Sequence, residues 1–277
     1  MTEDERYMQR CLQLASHGLR NAIPNPMVGA VIVCDNRIIG EGYHIRCGEE
    51  HAEVNAVKSL RQTAIKELKQ GNGEPTELQI QEWIFEHCLR STIYVSLEPC
   101  SHFGKTPPCA ELLVAFRFKR CVIGCVDPFA KVQGKGIAKL KEAGIEVTVG
   151  VLAEECQKLN KRFFAFHGKG RPYIMLKWAQ TQDGYIDALR ENDSTPALAI
   201  SNALSIIKVH KLRSEYQAIL VGKNTDRLDH PSLTVRHWSG PNPKRLVIDK
   251  PIPELLSELH QEGIQSLLVE GGAKLLE

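Results

Sequence analysis

The sequence predicts an α/β protein built as two domains in tandem, and three observations carry that reading. Strand-like and helix-like stretches alternate along almost the whole chain. A basic, glycine-rich break from Gly168 to Pro172 interrupts them, and a fresh series starts at Tyr173. At 277 residues the chain is long enough for two cores. The expected boundaries are 1–150 for the first domain, 151–170 for a connecting helix and linker, and 171–277 for the second.

The opening MTEDERYMQRCLQLA is charged and amphipathic and lacks the apolar centre of a signal peptide. MVGAVIVC and RIIGEGYH read as a hairpin turned at Asp35-Asn36. HAEVNAVKSLRQ has helical spacing, with Ala52, Val54, Ala56, Val57 and Leu60 as apolar contacts and His51 and Glu53 in the first turn. The stretch around 71–89, GNGEPTELQIQEWIFEHCL, reads as an inserted loop and helix on the surface. STIYVSLEP is a strand by its β-branched and aromatic residues, ended by Pro99 with Cys100 at its tip. Pro107 and Pro108 open a helix, PPCAELLVAFR, with Cys109 in its first turn. The strand RCVIGCVD, the helix KGIAKLKEAG, the strand IEVTVGV and the helix LAEECQKLNKRFFAFHGKGRP complete the first series. In the second, YIMLKWAQT is a strand and Asp183-Gly184 a turn. NALSIIKVHKLRSEY is a helix, and QAILVG, KRLVID and IQSLLVE are strands. VEGGAKLLE passes from strand through Gly271-Gly272 into a helix start.

Composition narrows the function classes. The formal net charge is +2, without the basic footprint of a nucleic-acid binder. No apolar run approaches the roughly twenty residues that a bilayer requires. Neither a nucleic-acid nor a membrane partner is expected. Nine cysteines, several inside apparent strands and helices, fit a reduced, cytoplasmic setting. Cys121 and Cys125 are expected to be buried rather than bridged.

Chemistry enters with His51, Cys100 and Cys109. An imidazole and two thiolates suit zinc, and three protein ligands leave a fourth position for water. Zinc lowers the pKa of such a water to about 7. Glu53, two residues after His51, is placed to carry protons from that water to a ring nitrogen and to departing ammonia. His-x-Glu followed later by Pro-Cys, here Pro99-Cys100, is the pattern of zinc deaminases acting on nucleobases. A lone cysteine is more often a small buried apolar residue, and a structural zinc clip closes with four protein ligands. His102 is available as that fourth ligand, but a clip leaves Glu53 without a purpose. Gly271 and Gly272 could admit a phosphate to helix-terminal amides; such a pair is also an ordinary turn.

PNPMVGAVIV (Pro24 to Val33), HAEVNA and LEPCSHFGKTPPC together resemble the deaminase half of the bifunctional deaminase/reductase family of riboflavin biosynthesis. KLRSEYQAILVGKNT, LDHPSLTVR and LLVEGG resemble its reductase half. The wide Cys100–Cys109 gap with GKTPP is a feature of that family; cytidine and transfer-RNA deaminases usually place these cysteines two residues apart. The resemblance implies a cytidine-deaminase-like three-layer α/β/α domain followed by a dihydrofolate-reductase-like α/β domain. It implies zinc and NADPH as cofactors and a phosphorylated pyrimidine as substrate. The first reaction deaminates 2,5-diamino-6-(5-phosphoribosylamino)pyrimidin-4-one, and the second reduces the ribosyl group to a ribityl chain.

By the same resemblance His51, Cys100 and Cys109 fall on zinc ligands and Glu53 on the proton carrier. Asn25, His44 and Lys105 fall on pyrimidine and phosphate contacts, a cation being apt for a phosphate. Arg213, Leu233, Arg236 and Glu270 match substrate positions of the reductase, with Ser194 or Ala197 near another. Ala179, Thr225, Asp229 and Gly272 match cofactor positions. Arg213 and Arg236 suit phosphate as guanidinium forks, or form surface ion pairs. Asp229 holds a hydroxyl or caps the turn in LDHP.

Departures from the family are confined to the second half. KRLVIDK runs straight into PIPELLSEL, where the family has a further strand and helix. GGAKLLE precedes the last strands of the reductase fold, so the natural protein is expected to continue. Leu198-Ala199 stand where many relatives carry a tryptophan near the nicotinamide. An open sheet edge there suggests a homodimer or higher homo-oligomer. Two other readings compete: a nucleotide or transfer-RNA deaminase with an accessory domain, and a zinc-stabilised binding protein without activity. Near-neutral charge and the cysteine spacing weigh against the first, and Glu53 against the second.

Overall fold

A computed structural model describes residues 1–69, 73–102, 107–130 and 132–276. The chain divides into two compact units, Met1–Phe164 and Ala165–Glu277.

The first unit is organised by a five-stranded sheet. β1 (Gly29–Cys34) and β2 (Arg37–Tyr43) form the expected hairpin. Asp35 and Asn36 both take positive φ, 49° and 61°, as a two-residue hairpin turn of the right twist demands. β1 pairs antiparallel with β3 (Thr92–Leu97), which runs parallel to β4 (Arg120–Cys125) and then β5 (Glu146–Val149). The strand order is β2-β1-β3-β4-β5.

Successive residues of a strand point to opposite faces, so this sheet is apolar on both. Ala30, Ile32, Ile93, Val95, Cys121 and Ile123 form one core with Leu60 of α2 (Ala52–Lys69), Leu113 of α4 (Cys109–Ala115) and Leu140 of α5 (Lys135–Glu142). Val31, Val33, Tyr94 and Val122 form the other with Met8 and Cys11 of α1 (Glu3–Ser16) and Cys156 of α6 (Ala153–Leu159). The result is the expected α/β/α sandwich.

Two elements differ from expectation. The inserted helix, α3 (Glu77–Cys88), is not a surface appendage: Ile80, Ile84 and Cys88 are buried in the α2-side core. Their i, i+4, i+8 spacing is a helical stripe, and Thr76 caps the helix start reciprocally with Gln79. The single helix expected before the linker is two, α6 and α7 (Lys161–Lys169), broken at Asn160. Asn160 is buried, and its amide clasps both the N–H and the carbonyl of Met27 at 2.8 Å each.

The second unit holds a four-stranded, all-parallel sheet in the order β6-β9-β7-β8. Its strands are β6 (Tyr173–Lys177), β7 (Ala218–Val221), β8 (Lys244–Val247) and β9 (Ser266–Glu270). Ala218, Leu220, Leu267 and Val269 pack with Leu255 and Leu259 of α10 (Ile252–Gln261). Ile219, Val221 and Leu268 pack on the other face with Tyr216, Leu233 and Leu212 of α8 (Ala203–Arg213). A short α9 (Lys223–Asp229), not anticipated from the sequence, follows β7, and α11 (Ala273–Leu276) follows β9. Residues 178–202 carry no helix or strand. Among the described residues no helix is long and apolar enough to cross a membrane.

Candidate functional site

Three elements of the first unit converge at one point. His51 immediately precedes α2, and its carbonyl accepts the N–H of Asn55. Cys100 follows Pro99 beyond the end of β3, and Cys109 is the first residue of α4. His51 Nδ1 lies 3.5 Å from Cys100 Sγ and 3.3 Å from Cys109 Sγ. The three ligand atoms all fall within 4.8 Å of one another. A tetrahedral zinc with bonds of about 2.3 Å to sulfur and about 2.0–2.1 Å to nitrogen puts N and S about 3.5 Å apart. The trio therefore fits one zinc ion. Among the described residues no fourth His, Cys, Asp or Glu joins the group; the His102 ring faces Phe129 instead.

The three ligand groups shift one another's protonation: Cys100 raises the Cys109 thiol, chiefly through their hydrogen bond. The Cys109 thiol and then His51 hold the Cys100 thiol far below its ordinary value, favouring a thiolate. Cys100 in turn raises the His51 ring. Glu53 is 3 % exposed, and burial pushes its carboxyl up while His51 pulls it down.

Asn25 and His44 meet beside this cluster. Asn25 Nδ2 stands 3.1 Å from His44 Nε2, and His44 Nδ1 stands 3.0 Å from the Glu50 carbonyl. With Nδ1 donating to that carbonyl, Nε2 accepts from Asn25, which defines a neutral ring. Burial lowers the His44 pKa in the same sense. The His44 and His51 rings meet edge to face, centroids 5.4 Å apart. The Asn160–Met27 clasp fixes the segment that carries Asn25. Lys105 lies outside the described residues. Two buried acids were not singled out from the sequence. Glu98 precedes Pro99, and Asp127, pushed up to about 6 chiefly by burial, ends the RCVIGCVD stretch.

The second unit holds a cleft of about 530 Å³ beyond the carboxyl ends of β6, β7 and β9, where parallel sheets bind ligands. Its lining includes Arg213, Leu233, Glu270, Ala179, Thr225, Asp229 and Gly272, and also Ala197. Arg236 and Ser194 are not among the lining residues. Arg236 Nη1 donates to Ser232 Oγ, and Ser194 folds onto Asn192. Arg213 forms no surface pair: its Nε and Nη2 each donate to the buried Glu270 carboxylate at 2.8 Å. Asp229 accepts from Arg190, which also pairs with Asp187. Arg190 was not anticipated; only its place in a polar, irregular stretch marked it. Gly271 has a packing reason, since a Cβ there would come 2.8 Å from Leu275 Cδ2. A Cβ at Gly272 would make only ordinary contact, 3.9 Å from Thr225 Oγ1, among the described residues.

Fold and site together define a class: a zinc-binding deaminase-type unit joined to a unit with a parallel-sheet ligand cleft. Residues 1–125 match the cytidine and deoxycytidylate deaminase zinc-binding region, and 172–251 match the RibD C-terminal domain. The chain is 34% identical to riboflavin biosynthesis protein RibD of Bacillus amyloliquefaciens, covering 98% of this chain and 79% of that one. It is 40% identical to RibD of Aquifex aeolicus over 91% of this chain and 62% of the relative. A solved diaminohydroxyphosphoribosylaminopyrimidine deaminase/5-amino-6-(5-phosphoribosylamino)uracil reductase from Thermotoga maritima superposes with a TM-score of 0.79 at 35% identity, covering 99% of this chain and 82% of that one. RibD of Acinetobacter baumannii gives 0.79 at 31%, with the same coverage. The chain belongs to the RibD family of riboflavin biosynthesis proteins. It spans 62%, 60% and 58% of the length of the RibD proteins from Aquifex aeolicus, Synechocystis and Actinobacillus pleuropneumoniae.

Proposed function

We propose that the first unit removes ammonia hydrolytically from 2,5-diamino-6-(5-phosphoribosylamino)pyrimidin-4-one. The second unit then uses NADPH to reduce the ribosyl group of the product to a ribityl chain. The convergence of His51, Cys100 and Cys109 beside the buried Glu53 carries the first half of this reading. His51, Cys100 and Cys109 hold zinc, which when bound supplies a Lewis acid able to acidify water to a pKa of about 7. Glu53 is the general acid and base: its carboxyl takes one proton from the water and passes it to the ring nitrogen, then takes the second from the hydroxyl added to the ring and passes it to the leaving amine, which departs as ammonia. The neutral His44 and the Asn25 amide, whose Oδ1 and second N–H take no partner among the described residues, orient the ring edge. Lys105 is proposed to meet the phosphate.

In the second unit Thr225, Ala179, Asp229 and Gly272 are proposed to hold NADPH, which supplies the hydride when bound. A cleft of about 530 Å³ lies within the usual range for small-molecule sites, about 300–1,000 Å³. Leu233, Arg213 and Glu270 line the same cleft and are proposed to place the sugar. Arg236 is retained as a substrate contact that must swing from Ser232 to reach it. A reducing, cytoplasmic setting is supported by nine free cysteines. A homo-oligomer remains the expectation for the assembly, with β6 and β8 the outer strands of the second sheet among the described residues. The substrate is a small molecule, and the low net charge supports the absence of a nucleic-acid partner.

The test uses the purified chain with the diaminopyrimidinone phosphate. Ammonia should appear without NADPH, and NADPH should be consumed only after deamination. Glu53→Gln should bind zinc and lose the first activity. Ammonia release that survives zinc removal, or full turnover by Glu53→Gln, overturns the deaminase reading.

A further inference from the structure

Glu98 lies one residue before Pro99 and is 3 % exposed. Its carboxylate faces four backbone N–H groups. Oε2 accepts from Asp127 at 3.3 Å and Gly134 at 3.0 Å. Oε1 accepts from Gly136 at 3.0 Å and Ile137 at 3.3 Å. The Glu98 N–H donates to the Cys125 carbonyl at 3.0 Å. One side chain thus gathers the exit of β4, the turn before α5 and the first turn of α5. A carboxylate suits this place because both its oxygens only accept, at about four lone-pair sites. A carboxamide would turn N–H donors toward N–H donors.

Gly136 closes the same joint. A Cβ there would lie 2.0 Å from the Pro99 carbonyl oxygen, so the α5 backbone rests directly on the Pro99–Cys100 turn. From that turn the path to the metal ligands is short. Cys100 Sγ accepts the Cys109 N–H at 3.3 Å, and the Cys100 carbonyl accepts the Ala110 N–H at 3.1 Å.

We infer that Glu98 is a positioning residue for the metal centre, fixing the Pro99–Cys100 turn and with it the Cys100 sulfur against α5 and the loop after β4. The inference rests on the reading of His51, Cys100 and Cys109 as zinc ligands. Glu98 touches neither metal nor substrate; it acts through Cys100. Partners one step removed from a metal typically change affinity or activity about 10- to 100-fold when replaced.

The experiment is zinc release from the zinc-loaded full chain to a chromophoric chelator, followed in time. Glu98→Gln should release zinc about 10- to 100-fold faster than the wild type. Its deaminase kcat should fall with KM unchanged, because no substrate contact passes through Glu98. A second pair isolates one hydrogen bond. Ile137→Ala and Ile137→Pro both take away the branched isoleucine side chain, but only proline removes the N–H. That N–H lies in the first helical turn, where proline is accepted. The proline variant should release zinc faster than the alanine variant, and this comparison decides the matter if Glu98→Gln does not fold. Equal release by proline and alanine variants, or wild-type release by Glu98→Gln, overturns the inference and leaves the zinc reading intact. A wild-type chain that takes up no zinc overturns the reading beneath it.

Discussion

Gly42→Ala should disable the first unit from a distance. Gly42 lies on β2 where α2 crosses it, backbone against backbone. A Cβ at Gly42 would sit 2.5 Å from Ala56 N, 2.6 Å from Asn55 C and 2.7 Å from Asn55 Cβ. Ordinary contact begins near 3.4 Å, so α2 must retreat by about 0.9 Å to admit one methyl group. None of the three obstructing atoms is the far end of a flexible side chain. α2 carries Glu53 and starts one residue after His51, whereas Cys100 and Cys109 are set by β3 and α4. The retreat therefore stretches the 3.3 and 3.5 Å gaps between His51 Nδ1 and the two sulfurs beyond what a shared zinc spans. A misplacement of about 1 Å can cost about 100-fold in rate, and overpacking costs about 1–3 kcal/mol in stability. Ammonia release at saturating substrate, zinc content and urea unfolding measure the three effects. Gly168→Ala is the control: it stands in α7 with nothing within 4 Å of the new Cβ and should stabilise by about 0.5 kcal/mol. If Gly42→Ala keeps wild-type turnover and zinc content, the backbone-to-backbone seat of α2 does not set the metal geometry and the reasoning fails.

Other consequences are equally accessible. Asn160→Leu leaves the buried Met27 N–H and carbonyl without their 2.8 Å partners. It should cost about 3 kcal/mol in urea unfolding and raise the deaminase KM through Asn25; an unchanged midpoint would count against the clasp. Arg120 holds the Asp4 carboxyl below its usual range by a bidentate hydrogen bond, with a further bond from Tyr94. The stabilisation is complete above the ordinary carboxylate pKa and is lost as pH falls through the lowered one. Arg120→Met should thus be destabilised by about 1 kcal/mol at neutral pH, with the gap to wild type closing in strong acid. A gap independent of pH would refute the linkage. Arg213→Met leaves the buried Glu270 carboxylate with Lys177, 3.6 Å away, as its remaining ion-pair partner among the described residues. A loss of about 3 kcal/mol in the second unit's unfolding is expected, and adding Glu270→Leu should recover part of it.

Much of the first unit could be read from the chain because local chemistry and global fold agree there. Asp35-Asn36 is a turn on its own terms, and β1 is apolar at every position because helices cover both faces. His51, Cys100 and Cys109 carry side chains rare enough to announce themselves. The features that escaped notice depend on partners far away in sequence. Glu98 looks like an ordinary strand-end acid until Gly134, Gly136 and Ile137 arrive some 36 to 39 residues later. Asn160 reads as a mid-helix residue until it meets Met27, 133 residues earlier. The stretch holding α3 interrupts the series between α2 and β3, which suggests a surface insertion; its Ile80, Ile84, Cys88 stripe is the stronger signal.

The two units differ in how ready their sites are. In the first, the ligand atoms already stand at zinc-bonded spacing, and on the proposed reading the neutral His44–Asn25 pair would need no charge rearrangement to meet a ring. In the second, charged groups of the cleft are engaged with one another. Arg213 is committed to Glu270, while Arg190, its side chain 5 % exposed, is shared between Asp187 and Asp229. A phosphate entering there must compete with carboxylates for guanidinium donors, and a hydroxyl reaching Asp229 must compete with Arg190. Exchange of one partner for another in a partly desolvated site returns little net free energy. On the proposed reading, Thr225, Gly272 and the apolar wall at Leu233 would therefore carry more of the NADPH and sugar binding than the charged groups of the cleft. This predicts a shallow salt dependence for NADPH binding, because few of those charges become newly paired when the ligand enters. A steep decline in affinity between low and physiological salt, measured by titration calorimetry, would instead mean that Arg190 or Arg213 leaves its carboxylate for the ligand.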